Sequence, residues 1–403
     1  MIEPNEALDI IMENVGEVDC ERVYFTQSKG RVLAEDIKSN MNLPPFDNSA
    51  MDGYAFHFDD LKRYNRLSVK GVIGAGSSDA LHVEEGECAR IMTGAPMPKG
   101  ADTVVEFEKV NLIDNNTIEI IGDLHKGRNV RKTGEDIKKG ESLHYLKGEF
   151  ITPAIIARLV SCGVYNYKVY RRPKVAIIST GSELIYPGSL IEDNKIVESN
   201  GEYITLTLQD VGVEVLYKGI IEDSFEALKS IIEGLQLYDS IITIGGISKG
   251  DYDIVRLYGK QLGIKWFFNE VFQKPGKPFS FGLIGDKPVF SFPGNPLSSA
   301  FCQFFYFLPA IKKMMGVKRP YNNKFKAYLE KDIYKKSKRN MFLNANIYMG
   351  DNGIKVIAAE RENSNLISQL LFSNGYIYMS SKVMGSIGKG TLVDVYSKYI
   401  NYL

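Results

Sequence analysis

The chain has 403 residues, enough for two to four domains at roughly 150 residues each, and its 49 Lys+Arg balance 49 Asp+Glu. A formal net charge of zero excludes a general electrostatic pull toward nucleic acid or a membrane surface, so an anionic ligand has to be held by locally placed charge. Cys20, Cys88, Cys162 and Cys302 form no C-x-x-C pair, and His57, His82, His125 and His144 show no i, i+4 pairing, which argues against a disulfide framework and a structural zinc site.

The N-terminus, Met1-Ile2-Glu3-Pro4, lacks a basic segment followed by an apolar one, and the expectation is a cytoplasmic protein. Residues 5–15 read as a helix with Ala7, Leu8, Ile11 and Val15 on one face, and a mixed segment then reaches the boundary at Pro44-Pro45. From 46 to 135, short β-like runs such as Leu67 to Ile73 and Thr103 to Phe107 alternate with glycine turns and predict a separate β-rich domain. Thr152 and Pro153 have the N-cap and first-position chemistry of a helix over 153–161. Helical material flanking the β insertion predicts a discontinuous mixed α+β domain, 1–45 with 136–170.

Beyond Pro173, strand and helix patterns alternate: strand 175–179, helix 201–211, strand 213–218, helix 224–235, strand 240–244. This predicts an α/β domain with a parallel sheet over 171–318. Pro288 to Ile311 contains no charged residue, but the turn Pro293-Gly294-Asn295-Pro296 divides it into a buried strand and a helix capped by Asn295, so no membrane span is expected. From 319 to 403 the pattern turns strand-like again and predicts a C-terminal β domain.

Ligands of a parallel sheet bind at the carboxyl ends of its strands, where Thr180-Gly181-Ser182-Glu183 and Gly245-Gly246-Ile247-Ser248-Lys249-Gly250 fall. Glycine turns let backbone N–H groups approach an anion, and Lys274 and Lys277 on the turn Lys274-Pro275-Gly276-Lys277-Pro278 add cationic donors. The pattern points to a phosphorylated ligand. Asp52, Glu135, Asp136, Glu183 and Asp253 at loop ends have the oxygen chemistry that bridges phosphates through Mg²⁺. Gly246 to Gly250 also fits a G-x-S-x-G nucleophile elbow, but every histidine precedes residue 145 and none follows Ser248 to serve it.

Together these stretches resemble the molybdopterin molybdenumtransferase family, the MoeA proteins of bacteria and the related domain of gephyrin. The resemblance lies in Phe46 to Ala55 with Asp52, Arg90-Ile91-Met92-Thr93-Gly94-Ala95, Gly134-Glu135-Asp136-Ile137, Ser179 to Leu184, Gly245 to Gly250, Lys274 to Pro278, and Phe292-Pro293-Gly294-Asn295-Pro296. It implies four domains in a homodimer, with an α/β domain shared with MogA-type adenylyltransferases, which it also implies as a partner. It also implies molybdenum insertion into adenylylated molybdopterin, with Mg²⁺-dependent release of AMP.

By motif match, Glu183 and Asp253 would hold Mg²⁺, Lys274 and Lys277 would neutralise the anions, and Ser298 and Arg339 would face molybdate. Thr93, Thr180, Gly181, Gly245, Gly246, Ser248, Pro275, Gly276, Pro293, Gly294 and Asn295 complete the expected binding set, with Asp52 and Asp136 among the catalytic carboxylates. Asp52 would act in trans, in a cleft shared between subunits. One departure stands out: the family's second arginine after Arg339 is here Asn344, which donates a hydrogen bond but brings no charge. The alternatives are a scaffold that has kept the fold without the reaction, and a nucleotide pyrophosphatase indifferent to molybdate.

Overall fold

The computed structural model describes residues 1–77, 81–222, 224–234, 237–245, 254–359 and 367–398. At its centre is a six-stranded sheet in the order Glu214–Ile221, Lys174–Thr180, Ser240–Ile244, Lys287–Phe292, Ser280–Ile284, Lys265–Phe268. The first four strands are parallel, and Ser280–Ile284 runs against both of its neighbours. The apolar runs Val175 to Ile178 and Ile241 to Ile244 are buried throughout, as strands covered on both faces must be. On one face, Val175, Ile177, Ile242 and Ile244 meet Ile204 and Leu208 of the helix Asn200–Asp210 and an aromatic block that includes Phe279, Phe290, Phe292, Phe301, Phe305 and Tyr306. The opposite face gathers Ala176, Ile178, Ile241 and Tyr238.

The charge-free segment resolves into the strand Lys287–Phe292 and a helix that begins at Pro296, passes through a π-turn at Gln303–Phe307 and ends at Met314. Among the described residues no helix is long and apolar enough to cross a membrane. Asn295 occupies the N-cap position in extended backbone, but its side chain makes no capping bond. The N-terminal helix, Pro4–Asn14, buries Ala7 and Ile11 in the core of this α/β domain. The cause is the helix ending at Met314, which offers an apolar face that Ala7 and Ile11 cover.

Antiparallel strands Cys20–Tyr24 and Asn166–Tyr170, linked by bridges at Val32↔Phe150, Lys38↔Ser142 and Leu43↔Ile137, share a core of Val23, Leu33, Ile37, Ile137, Leu146, Leu159 and Tyr167. The helix Pro153–Ser161 closes it, with Thr152 Oγ1 accepting from Ile155 N at 3.3 Å. Between these segments lies a six-stranded sheet in the order Thr103–Glu106, Gly53–Phe56, Glu87–Ile91, Arg66–Ile73, Thr117–Ile120, Val110–Asp114. Side-chain alternation sends Ala55, Ala89 and Ile91 to one core and Tyr54, Phe56 and Cys88 to another.

The C-terminal strands close into a barrel: Asn340–Gly350, Gly353–Ala358, Lys324–Leu329, Leu392–Ser397, Gly375–Met379 and back to Asn340–Gly350. Closure is possible because the long strand Asn340–Gly350 gives residues 345–350 to one neighbour and 341–345 to the other. Met341, Leu343 and Ala345 point into the barrel core, and Phe342 points out into the aromatic block of the α/β domain, 4.5 Å from Phe301 and 4.8 Å from Phe305 between ring centroids. A two-residue strand, Gln273–Lys274, adds parallel to the same barrel strand at Asn340 and Met341.

Candidate active site

Where the α/β domain meets the barrel there is a cavity of about 230 Å³. Its floor is the turn Lys274 to Pro278, which is tied down from below. Gln273 is wholly buried; its Nε2 donates to Gly276 O at 3.0 Å, and its Oε1 accepts from the Tyr306 hydroxyl. Gly276 has φ +78°, and a Cβ there would stand 2.7 Å from Cys302 Sγ, so the turn needs glycine for its conformation and its close approach.

One wall carries Leu297 and Ser298, the latter 5% exposed, from the start of the Pro296 helix. The barrel supplies Arg339, Phe342 and Asn344, with Ala359 and Gln369 at the far side. Arg339 is oriented by its Nη1 donating to Gln273 O at 3.1 Å, and Lys277 Nζ lies 3.5 Å from Glu270 Oε1. Among the described lining residues there are three cationic side chains, Lys274, Lys277 and Arg339, and no carboxylate. A concave site lined by such cations, with Glu270 offsetting part of the charge of Lys277, attracts a small multivalent anion.

A second group of turns lies at the carboxyl ends of the parallel strands. Gly245 N donates to Phe292 O at 3.0 Å, and Gly245 has φ +86°, with any Cβ falling 2.4 Å from Thr180 O. The same turn meets Gly294, and Asn200 Nδ2 donates to Gly294 O at 2.7 Å, so Thr180, Gly181, Gly245, Pro293, Gly294 and Asn295 form one edge. Thr180 Oγ1 is buried there without a hydrogen-bond partner among the described residues. Glu183 is exposed, its carboxylate folded over Gly181, where a Cβ would sit 2.8 Å from Oε2. Behind this edge, buried Glu198 accepts from Gly201 N at 2.8 Å and from Tyr217 Oη at 2.7 Å.

The remaining expected residues stand in the N-terminal half. Asp52 Oδ1 accepts from Thr93 N at 2.7 Å and Thr93 Oγ1 at 2.9 Å, and the backbone bond above all holds its carboxyl below the usual range. Asp136 accepts from Arg158. Neither lines the cavity. Gly246, Ser248 and Asp253 lie outside the described residues.

The sequence reading brought Lys274, Pro275, Gly276, Lys277, Ser298 and Arg339 to one list, and the fold brings them to one cavity. It missed Gln273 and Gln369, neutral residues whose burial against the turn and the barrel has no local sequence signal. Asn344 was visible only as a departure from a motif.

A model of the MoeA N-terminal region (domain I and II) matches residues 2–163, and one of a probable molybdopterin binding domain matches residues 176–313. A molybdopterin molybdenumtransferase of Haemophilus influenzae is 33% identical over 93% of this chain and 93% of its own length. One from Staphylococcus aureus is 32% identical over 97% of this chain and 94% of its own. The chain belongs to the molybdopterin molybdenumtransferase family.

A crystal structure of the molybdopterin biosynthesis moeA protein from Pyrococcus horikoshii OT3 matches with a TM-score of 0.84 at 30% identity, covering 98% of this chain and 100% of that one. The multidomain α/β and β architecture read from the sequence is therefore that of a solved moeA protein. With this membership the chain is a transferase of molybdenum cofactor biosynthesis.

Proposed function

We propose that this protein inserts molybdenum from molybdate into adenylylated molybdopterin and releases AMP with the help of Mg²⁺. The observation that carries the reading is the cavity with Lys274, Lys277, Arg339 and Ser298 on its walls and no described carboxylate, which suits an oxyanion. The two lysines and the arginine neutralise charge; the Ser298 hydroxyl donates to an oxygen; Gly276 keeps the Lys274 to Pro278 turn close to the bound anion. The edge at Thr180, Gly181, Gly245 and Gly294 offers backbone approach for the phosphate-bearing part of the substrate, and Thr180 Oγ1 is a buried hydroxyl still lacking a partner.

Among the described residues no group of three or more His, Cys, Asp or Glu forms a complete metal cage. Mg²⁺ in phosphate chemistry is held by one or two carboxylates plus substrate oxygens, and the exposed Glu183 beside the glycine edge fits that demand. Glu183, with Asp253, would hold the ion, which supplies charge neutralisation at the pyrophosphate.

In the same reading the protein is a cytoplasmic homodimer whose clefts are completed in trans by Asp52, and it takes its substrate from a MogA-type adenylyltransferase. The fixed carboxylate of Asp52, held by Thr93 on an exposed loop of the β-rich domain, supports this because it does not line the cationic cavity of its own chain. The test is incubation with adenylylated molybdopterin and Mg²⁺, with and without molybdate, following AMP and active cofactor. AMP and cofactor that both require molybdate are expected. AMP independent of molybdate identifies a nucleotide pyrophosphatase, and tight binding without AMP identifies a scaffold.

A further inference from the structure

Asn344 stands in the cavity wall where the family resemblance leads one to expect a second arginine. The residue behind it is Lys398. Lys398 Nζ lies 3.3 Å from Asn344 Oδ1 and 2.8 Å from Ser373 Oγ, and it sits over the Tyr376 ring at 4.6 Å from the centroid. Ser373 Oγ in turn donates to Gln369 O at 2.6 Å, and Asn344 Nδ2 faces Gln369 Oε1 at 3.4 Å. Asn344 and Gln369 line the cavity, so the ammonium is one side chain away from the space where the anion would lie.

We propose that Lys398 is a positioning residue for oxyanion binding: it replaces from the second row the positive charge that Asn344 lacks, and it orients the Asn344 amide as a donor to the cavity. This rests on the reading of the cavity as an oxyanion site. A lysine ammonium has donors and no acceptor, so Asn344 must turn Oδ1 toward it. The Nδ2 end is then left on the side of Gln369 and the cavity. Among the described residues no carboxylate pairs with Lys398, and its charge acts through the part-buried wall.

The groups facing Lys398 are Asn344 on its barrel strand, Ser373 on the following loop and Tyr376 on the next strand. Across the cavity are Lys274, Lys277 and Arg339. The Tyr376 phenol is pushed well above its ordinary value by burial and stays neutral; on the strand that ends just before Lys398, Tyr396 is pushed up to about 12. Burial lowers Lys398 itself to about 8. Its charge, and the affinity that depends on it, is therefore present below that pH and is lost as pH rises through it.

The experiment is equilibrium dialysis of radiolabelled molybdate against the whole protein between about pH 6.5 and 9.5, a range that brackets the value of about 8 to which burial lowers Lys398. Wild type is expected to bind and to weaken as pH passes about 8. Lys398→Met should bind roughly tenfold more weakly at the acid end and show no such step. Lys398→Arg should keep the affinity and lose the step, because guanidinium stays charged.

The decisive variant is Asn344→Arg placed in the Lys398→Met protein. Moving the charge forward by one side chain should restore binding, whereas a purely packing role for Lys398 would not be rescued by a cation at 344. Equal affinity in wild type and Lys398→Met, or failure of the double variant to recover, overturns the proposal for Lys398 alone. If wild type takes up no molybdate, the oxyanion reading of the cavity fails, and this inference with it.

Discussion

Glu106 is the clearest case of a single side chain setting a pH limit. The Arg128 guanidinium, at 2.7 Å from Oε1, holds its carboxyl down to about 2. Since an unfolded glutamate titrates near about 4.3, this contribution is complete above that pH and is lost as pH falls through the folded value. Glu106→Gln should therefore melt lower than wild type at neutral pH and lose less melting temperature on acidification from about pH 4 to about 2; parallel curves from circular dichroism would contradict it. Glu183 is the opposite kind of residue, exposed and unsupported by packing. Glu183→Ala should abolish Mg²⁺-dependent AMP release while the melting temperature moves by less than about 2 °C, as surface substitutions do. Retained turnover would remove Glu183 from the metal site.

At the level of elements, the Lys274 to Pro278 turn is the piece on which the cavity depends. Gly276→Ala places a methyl 2.7 Å from Cys302 Sγ and forces φ +78° on a residue with a side chain. Destabilisation of about 1 kcal/mol or more is expected, together with weaker anion binding, and Cys302→Ala should relieve the clash without restoring the turn. Chemical denaturation read beside molybdate dialysis separates the two effects. The same turn shows what a linear reading finds. Its lysines, prolines and glycine were legible because turn chemistry is local, as were Thr152 capping at Ile155 and the buried runs of the parallel sheet. Gln273, Gln369 and Lys398 were not, because what matters in them is a contact with residues distant in sequence, such as Tyr306 or Asn344. The N-terminal helix was legible as a helix, yet its place against the helix ending at Met314 was not, since an apolar stripe does not name its partner.

The whole molecule raises the question of how Asp52 reaches a site. If each cleft draws Asp52 from the second subunit, a dimer pairing an Asp52→Ala chain with a Lys277→Ala chain has one doubly damaged cleft and one intact. Two inactive preparations should then regain roughly a quarter of wild-type sites after co-refolding, because about half of the dimers are mixed and each mixed dimer has one good cleft. Continued inactivity despite demonstrated subunit exchange would place the site within a single chain. The barrel poses a related question of modularity. It has its own closed sheet and core and reads like a part that could be cut away, but Phe342 and Tyr376 on its outside are packed against Phe301, Phe304 and Phe305 of the neighbouring domain. A gene fragment ending near residue 318 would leave that aromatic face wet and would divide the cavity lining between two products. The barrel is therefore a detachable unit in topology only: solubility and the binding site both require that it be inherited with the rest of the chain.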